Sequence, residues 1–239
     1  MRSITVILLC VLFSVVISPQ TEAQTSISTD RPGFGYGTFT VPTGTYYVES
    51  GAISSQNSFR LGQLTFRTGL HERVEFQLKL GSLTHNMVDG WETSPKYIRF
   101  KVDLLYTKNK KFRSAIVNST HLAFLDDEFD DYFNRIYLVA EYDFFSWLSV
   151  NGNLGYGNYL FSDVEFPEKY YSINPSIQID PETTLYLDYI YAQNDYYDQS
   201  AIEIGILYHI KPSVQIDGGL LFDDESIPHL NGGIAFSIN

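Results

Sequence analysis

The sequence predicts an all-β fold: a transmembrane antiparallel β-barrel of about twelve strands, with short periplasmic turns and longer external loops. Three observations lead there. Apolar and polar residues alternate with period two in segment after segment from Thr45 onward, which marks strands with one apolar face. The segments run to about ten residues, the length a tilted strand needs to cross a bilayer. Short and long connections alternate between them, as in barrels with tight turns at one end and larger loops at the other.

Residues 1–23 read as a cleavable signal peptide. Arg2 supplies a positive start, residues 4–17 are almost unbroken apolar sequence, and Thr21, Glu22 and Ala23 precede the cleavage point. Leu9 before Cys10 does not fit lipidation, and the mature chain, without Cys10, can form no disulfide. Residues 24–44 are expected as a periplasmic N-terminal segment and 45–239 as the barrel.

The barrel segments follow in order. Val74, Phe76, Leu78 and Leu80 alternate with Glu75, Gln77 and Lys79. Ile98, Phe100, Val102, Leu104 and Tyr106 alternate with Arg99, Lys101 and Asp103. Ile136, Leu138, Ala140, Tyr142 and Phe144 oppose Arg135, Tyr137, Val139, Glu141 and Asp143. Leu148, Val150 and Leu154 face away from Asn151 and Asn153, and Ile173, Ile177 and Ile179 from Asn174, Ser176 and Gln178. Leu185, Leu187, Tyr189 and Tyr191 oppose Tyr186 and Asp188, and Ile202, Ile204, Ile206 and Tyr208 oppose Glu203 and His209. The last two strands set Val214, Ile216, Leu220 and Phe222 against Gln215 and Asp217, then Leu230, Ile234, Phe236 and Ile238 against Asn231 and Ser237. Less regular strands are expected over 45–55, 59–70 and 112–124, and Pro175, which cannot donate to a ladder, is expected at a bulge. Longer loops are expected over 81–96, 125–134, 160–169, 193–199 and 223–229. A secreted β-sandwich also alternates, but a dozen uniformly apolar faces would make an oversized core, whereas lipid can cover each one.

Asp and Glu number 28 against 16 Lys and Arg, a formal charge of -12, so no basic face exists for nucleic acid. No phosphate-binding Gly loop or dinucleotide fingerprint is present, the His are scattered, and no cofactor is expected.

Thr29, Asp30, Arg31 and Pro32, followed by Phe39-Thr40-Val41-Pro42, Gly44 and Val48-Glu49-Ser50-Gly51, resemble the N-terminal signature of a bacterial outer-membrane family labelled "putative MetA-pathway of phenol degradation". The stretch from Phe66 to Phe76 is similar to that family's strand, tight turn and strand with an inward Glu. Two departures stand out: Gly33-Phe34-Gly35-Tyr36 after the Pro, and an ending in Ile238-Asn239 in place of a terminal aromatic. The resemblance implies a barrel taking up hydrophobic or aromatic compounds, not an enzyme.

With apolar faces toward lipid, the lumen-lining candidates are the cations Arg67, Lys79, Arg99, Lys101 and Arg135 and the anions Glu75, Asp103, Glu141, Asp143, Asp188, Glu203 and Asp217. They read either as a permeation path whose acidic bias favours cations or neutral polar solutes, or as charges pairing across a filled lumen. Asp30 and Arg31 read as a rigid turn, or as part of a segment folded into the periplasmic mouth with Arg31 on a lumen carboxylate. Asp126, Asp127, Glu128, Asp130 and Asp131, with Asp223, Asp224 and Glu225, read as a solvated acidic rim facing lipopolysaccharide, lacking the ligand spacing of a Ca²⁺ loop. The function expected is passive passage of small solutes through an outer-membrane channel. The alternatives are a closed barrel acting as a structural or surface-interaction protein, and a lipid hydrolase using Ser119 and His121, for which no nucleophile elbow is present. The expected partners are outer-membrane lipid, lipopolysaccharide and the barrel-insertion machinery.

Overall fold

The computed structural model describes residues 27–30, 35–55, 58–86, 90–93, 96–107, 111–122, 132–161, 164–194, 198–224 and 228–238. It holds β1 (Tyr46–Ser54), β2 (Ser58–Leu61), β3 (Leu64–His71), β4 (Val74–Leu80), β5 (Leu83–Asn86), β6 (Gly90–Thr93), β7 (Tyr97–Tyr106) and β8 (Phe112–His121). The remaining strands are β9 (Tyr132–Phe145), β10 (Leu148–Phe161), β11 (Val164–Gln178), β12 (Thr183–Gln193), β13 (Asp198–Lys211), β14 (Val214–Asp223) and β15 (Pro228–Ile238). Strands β1, β3, β4 and β7 to β15 pair antiparallel in a ring of twelve, which β15 closes against β1 along its whole length, from Tyr46 opposite Ile238 to Ser54 opposite Leu230. Closure excludes the sandwich and removes the exposed edges an open sheet would carry.

β2, β5 and β6 continue the strands beside them above the ring, β2 pairing with the upper end of β1 and with β5. The chain bends away at Gly62 (φ 97°) and Gly81 (φ 33°), where a side chain would be strained. This flap occupies part of the expected 81–96 loop. The expected 160–169 loop is likewise mostly strand, because β10 and β11 stay paired from Leu148 opposite Ile177 up to Phe161 opposite Val164. Pro175 marks no bulge. β11 keeps one register with β10 through Pro175, and its ladder to β12 merely skips residues 174 and 175. Register irregularities fall instead at Gly69/His71, Asp103/Leu105, Leu148/Ser149 and His209/Lys211, and the one after Asp103 changes a face. There the phase flips and Leu105, not Leu104, becomes the exposed residue.

The pleat then sorts the side chains. Leu138, Leu154, Ile173, Ile204, Ile216, Leu230 and Ile238 stand exposed on the outside, Ile204 at 52%. In water such a surface would be unfavourable by about 25 cal/mol per Å², and a bilayer removes that cost. Aromatic residues gather near the short-turn end, where Phe145 stacks on Trp147 with ring centroids 5.3 Å apart. They sit as the girdle of an outer-membrane barrel does. The opposite face is half-buried to buried although much of it is charged: Glu75, Lys101, Asp188 and Glu203 are all fully inaccessible. The N-terminal segment lies against Glu75, Lys101 and Asp188, and Glu203 is enclosed by Tyr186 and Asn231 of the wall.

Candidate functional site: a partitioned lumen

Residues 27–30 lie at the short-turn end and residues 35–44 inside the ring. The Ile27 amide donates to the Pro212 carbonyl at 2.8 Å, and Ile27 packs with Val41, Tyr47 and Ala235. Gln215 Nε2 donates to Thr29 Oγ1 at 2.8 Å. At the other end of the segment Thr43 bridges Gly69 before β1 begins. A Cβ on Gly69 would run into the Val41 carbonyl and Pro42, so that strand position admits the segment only as glycine.

Asp30 is the anchor. Lys101 Nζ donates to its Oδ1 at 2.5 Å, Gln77 Nε2 to its Oδ2 at 2.7 Å and the Gly37 amide to Oδ1 at 3.0 Å. Arg67 stands 3.8 Å away and is itself clamped by Glu49 at 2.7 Å and by Glu75, to which its Nε and Nη2 donate at 2.7 and 3.0 Å. Strand register assembles this group: Glu75 lies opposite Lys101, Gln77 opposite Arg67, and Tyr47 opposite Arg67. Burial alone would raise the Asp30 pKa, but the Arg67 and Lys101 charges outweigh it and hold the carboxyl well below the usual carboxylate range. Charges this deep are tolerable only when paired and hydrogen-bonded, and Glu75 completes its set by accepting from the Val41 amide at 2.7 Å.

The far side of the segment reaches the opposite wall. The Gly35 amide donates to Asp188 at 3.2 Å, the Tyr36 amide to Asn153 at 2.9 Å, and Thr38 Oγ1 to Glu141 at 2.8 Å. The Tyr36 ring packs on Tyr137, which meets Tyr170 edge-on, and the Arg99 guanidinium lies 5.0 Å over Tyr36.

The segment divides the lumen. Above it lies a chamber of about 260 Å³ whose wall includes Glu49, Arg60, Gln77, Lys79, Arg99 and Asn231. Below lies one of about 180 Å³, where Phe39, Tyr186 and Leu207 stand beside Ser149, Asn151, Asn174, Ser176 and Thr184. A third space of about 280 Å³ at the short-turn mouth shares Glu141, Ser149, Ser176 and Thr184 with it and adds Arg113 and Asp143. Asp30, Gly35 and Tyr36 line both the upper and the lower chamber. Among the described residues, these three of the N-terminal segment stand between the two chambers.

The expected lumen residues distribute around this partition. Arg67, Glu75 and Lys101 form the anchor, Asp188 and Glu141 hold its far side, and Lys79 and Arg99 face the upper chamber. Asp143 takes a bond from Arg113 at 3.0 Å, beside Glu141 at 2.6 Å. Arg135 pairs with Glu168 at 2.6 Å on the upper wall, and Glu203 accepts from Tyr186 at 2.6 Å and Asn231 at 2.9 Å. Asp103 and Asp217 are half-buried on β7 and β14 and take no part in the anchor. Of the N-terminal motif, Thr29 and Asp30 are in place, while Arg31 and Pro32 lie outside the described residues. Glu49, Arg113 and Glu168 belong to the same set but were not among the sequence candidates. Period two marks Glu49 within β1, whereas Glu168 sits in sequence polar enough to read as loop.

Ser119 accepts a bond from Arg99 Nε at 3.1 Å, and His121 packs on Tyr97. The partner of the Ser119 hydroxyl is thus a guanidinium, which cannot serve as a general base. At the rim, Asp223 lies 3.0 Å from His229, and Asp224 accepts from the Ser200 amide and hydroxyl, bonds that lower its pKa. Asp126, Asp127, Glu128, Asp130, Asp131 and Glu225 fall outside the described residues. Among the described residues no three His, Asp or Glu side chains converge on a cation position.

No protein-family model matches the chain, and no curated protein matches its sequence. Solved structures do match its fold. The COG4313 outer membrane channel from Pseudomonas putida F1 superposes with a TM-score of 0.66 at 10% identity, over 87% of this chain and 100% of that one. The KdgM porin gives 0.58 at 11% identity over 81% and 99%. The NanC porin gives 0.59 at 10% identity over 80% and 98%. The fold is that of outer-membrane porin-like barrels.

Proposed function

We propose that the protein is an outer-membrane channel for small polar solutes, with its N-terminal segment as the barrier in the path. The observation that carries this reading is the sharing of Asp30, Gly35 and Tyr36 by the chambers above and below. Passage between these two chambers requires that Asp30, Gly35 and Tyr36 shift or be skirted. Likeness in fold to channels and porins supports the reading. The short-turn end faces the periplasm, as in other barrels of this type. Residues 1–23 serve as the cleaved signal, and lipid and lipopolysaccharide surround the mature barrel after the insertion machinery has placed it.

Uncharged hydrophobic or aromatic solutes, which the family resemblance implies, fit this lumen less well. In the upper chamber they would cover Arg60, Lys79 and Arg99 without bonding them, and a buried polar group left unmet costs about 1–3 kcal/mol. The test is conductance of the refolded mature chain in a planar bilayer. Small, reproducible steps are expected for the wild type and larger ones once the Asp30 anchor is broken. Silence from both proteins, each correctly folded, would overturn the channel in favour of a closed structural barrel.

A further inference from the structure

We propose that the upper chamber is a binding site for small organic carboxylates, recognised by the guanidinium groups of Arg60 and Arg99. The inference deepens the channel reading by naming its solute class. Two carboxylates, Asp30 and Glu49, share this chamber's wall, but each is held by a buried cation: Asp30 by Lys101 and Glu49 by Arg67. Arg60 and Arg99 are bonded to hydroxyls instead. Arg60 Nε donates to Thr84 Oγ1 at 3.2 Å and Arg99 Nε to Ser119 Oγ at 3.1 Å. Each keeps its Nη groups as donors, and a guanidinium edge matches a carboxylate in a two-bond fork.

The site is also built to hold Arg99 still. Its guanidinium lies 5.0 Å from the Tyr36 ring centre and 5.8 Å from that of Tyr97, with Ser119 fixing its Nε. Aromatic faces favour the cation without neutralising it. Lys79 adds a further positive charge to the wall. The acidic bias of the whole chain thus does not extend to this chamber. At the short-turn mouth the balance is reversed, since Glu141 and Asp143 outnumber Arg113. At about 260 Å³ the chamber takes a solute of single-ring size.

The test is calorimetric titration of the refolded mature chain in non-ionic detergent with benzoate and with benzamide, which has the same ring and no charge. Saturable benzoate binding is expected, at least tenfold tighter than benzamide and weakened by salt. Arg99→Gln and Arg60→Gln are each expected to weaken benzoate about tenfold, the loss of one charge-assisted fork. Arg60 is exposed, so its substitution keeps the test available if Arg99→Gln fails to fold. Equal affinity for the two probes, or benzoate binding unchanged in Arg60→Gln, would overturn the proposal. Binding without bilayer conductance would retire the channel and leave the site. Conductance without benzoate binding would do the reverse.

Discussion

Replacing Asp30 with Ala should release the partition while leaving the barrel standing. Asp30 is the carboxylate that joins the segment to Lys101, and its loss also removes acceptors for Gln77 and for the Gly37 amide. Removing one partner of a buried ion pair costs about 3–5 kcal/mol. The low end applies, because Arg67 keeps Glu49 and Glu75, and Lys101 keeps the Phe39 carbonyl at 3.3 Å. Every 1.4 kcal/mol is a tenfold change in an equilibrium, so the undocked fraction should rise about 100-fold. Closure of the ring runs through β1 and β15, which Asp30 does not touch, so heat-modifiable migration should persist. The assay is maleimide labelling of Thr38→Cys, a position buried at 3% exposure, in a mature chain with no other cysteine. Labelling should quicken by about the same factor and single-channel current should rise with it. Asp30→Asn, which retains oxygen acceptors, should fall between Ala and wild type. A labelling rate and current both unchanged in Asp30→Ala would refute the anchor.

Four further outcomes follow from the same geometry. Gly35→Cys with Asn153→Cys should form a disulfide that pins the segment, since a Cβ on Gly35 comes within 2.9 Å of the Asn153 amide, and reductant should restore current. Gly69→Val should drive residues 41 and 42 off β3 and raise conductance in a folded barrel, whereas unaltered current would show that the segment tolerates the contact. The depressed pKa of Asp30 means that its contribution to docking is full above the undocked value of about 4 and is lost only as pH falls through the lower docked value. Current should therefore be flat from pH 7 to 5 as far as Asp30 is concerned, and opening midway in that range in wild type but not in Asp30→Asn would contradict the assignment. Ile204→Arg, on the outer face of β13, should cost about 2–4 kcal/mol of barrel stability in lipid, read from urea unfolding in vesicles, and an unchanged midpoint would remove Ile204 from the lipid surface.

Much of this protein is legible along the chain because a strand's pleat is local. Whether Glu75 and Phe76 part to opposite sides depends on alternation alone, and ten-residue segments with short and long connections are enough to suggest a barrel. The errors are local too. Polarity over 160–169 reads as loop, yet β10 and β11 continue because each supplies the other's backbone bonds where no apolar core is needed. Leu104 reads as outward until the irregularity after Asp103 moves the next residue into its place.

The sequence by itself determined which side of each strand is apolar, that a dozen such strands have nothing but lipid to cover them, and which charges turn inward. It did not determine what those charges meet. Asp30 lies 37 positions before Arg67 and 71 before Lys101, and no periodicity relates a segment without regular structure to the wall of a twelve-strand ring. Strand pairing brings Glu49, Arg67, Glu75 and Lys101 to one height, and only ring closure sets the lumen's width and encloses Asp30 as the partner for their desolvated charge. The strands follow from short-range sterics, and the partition follows from electrostatics across a closed space.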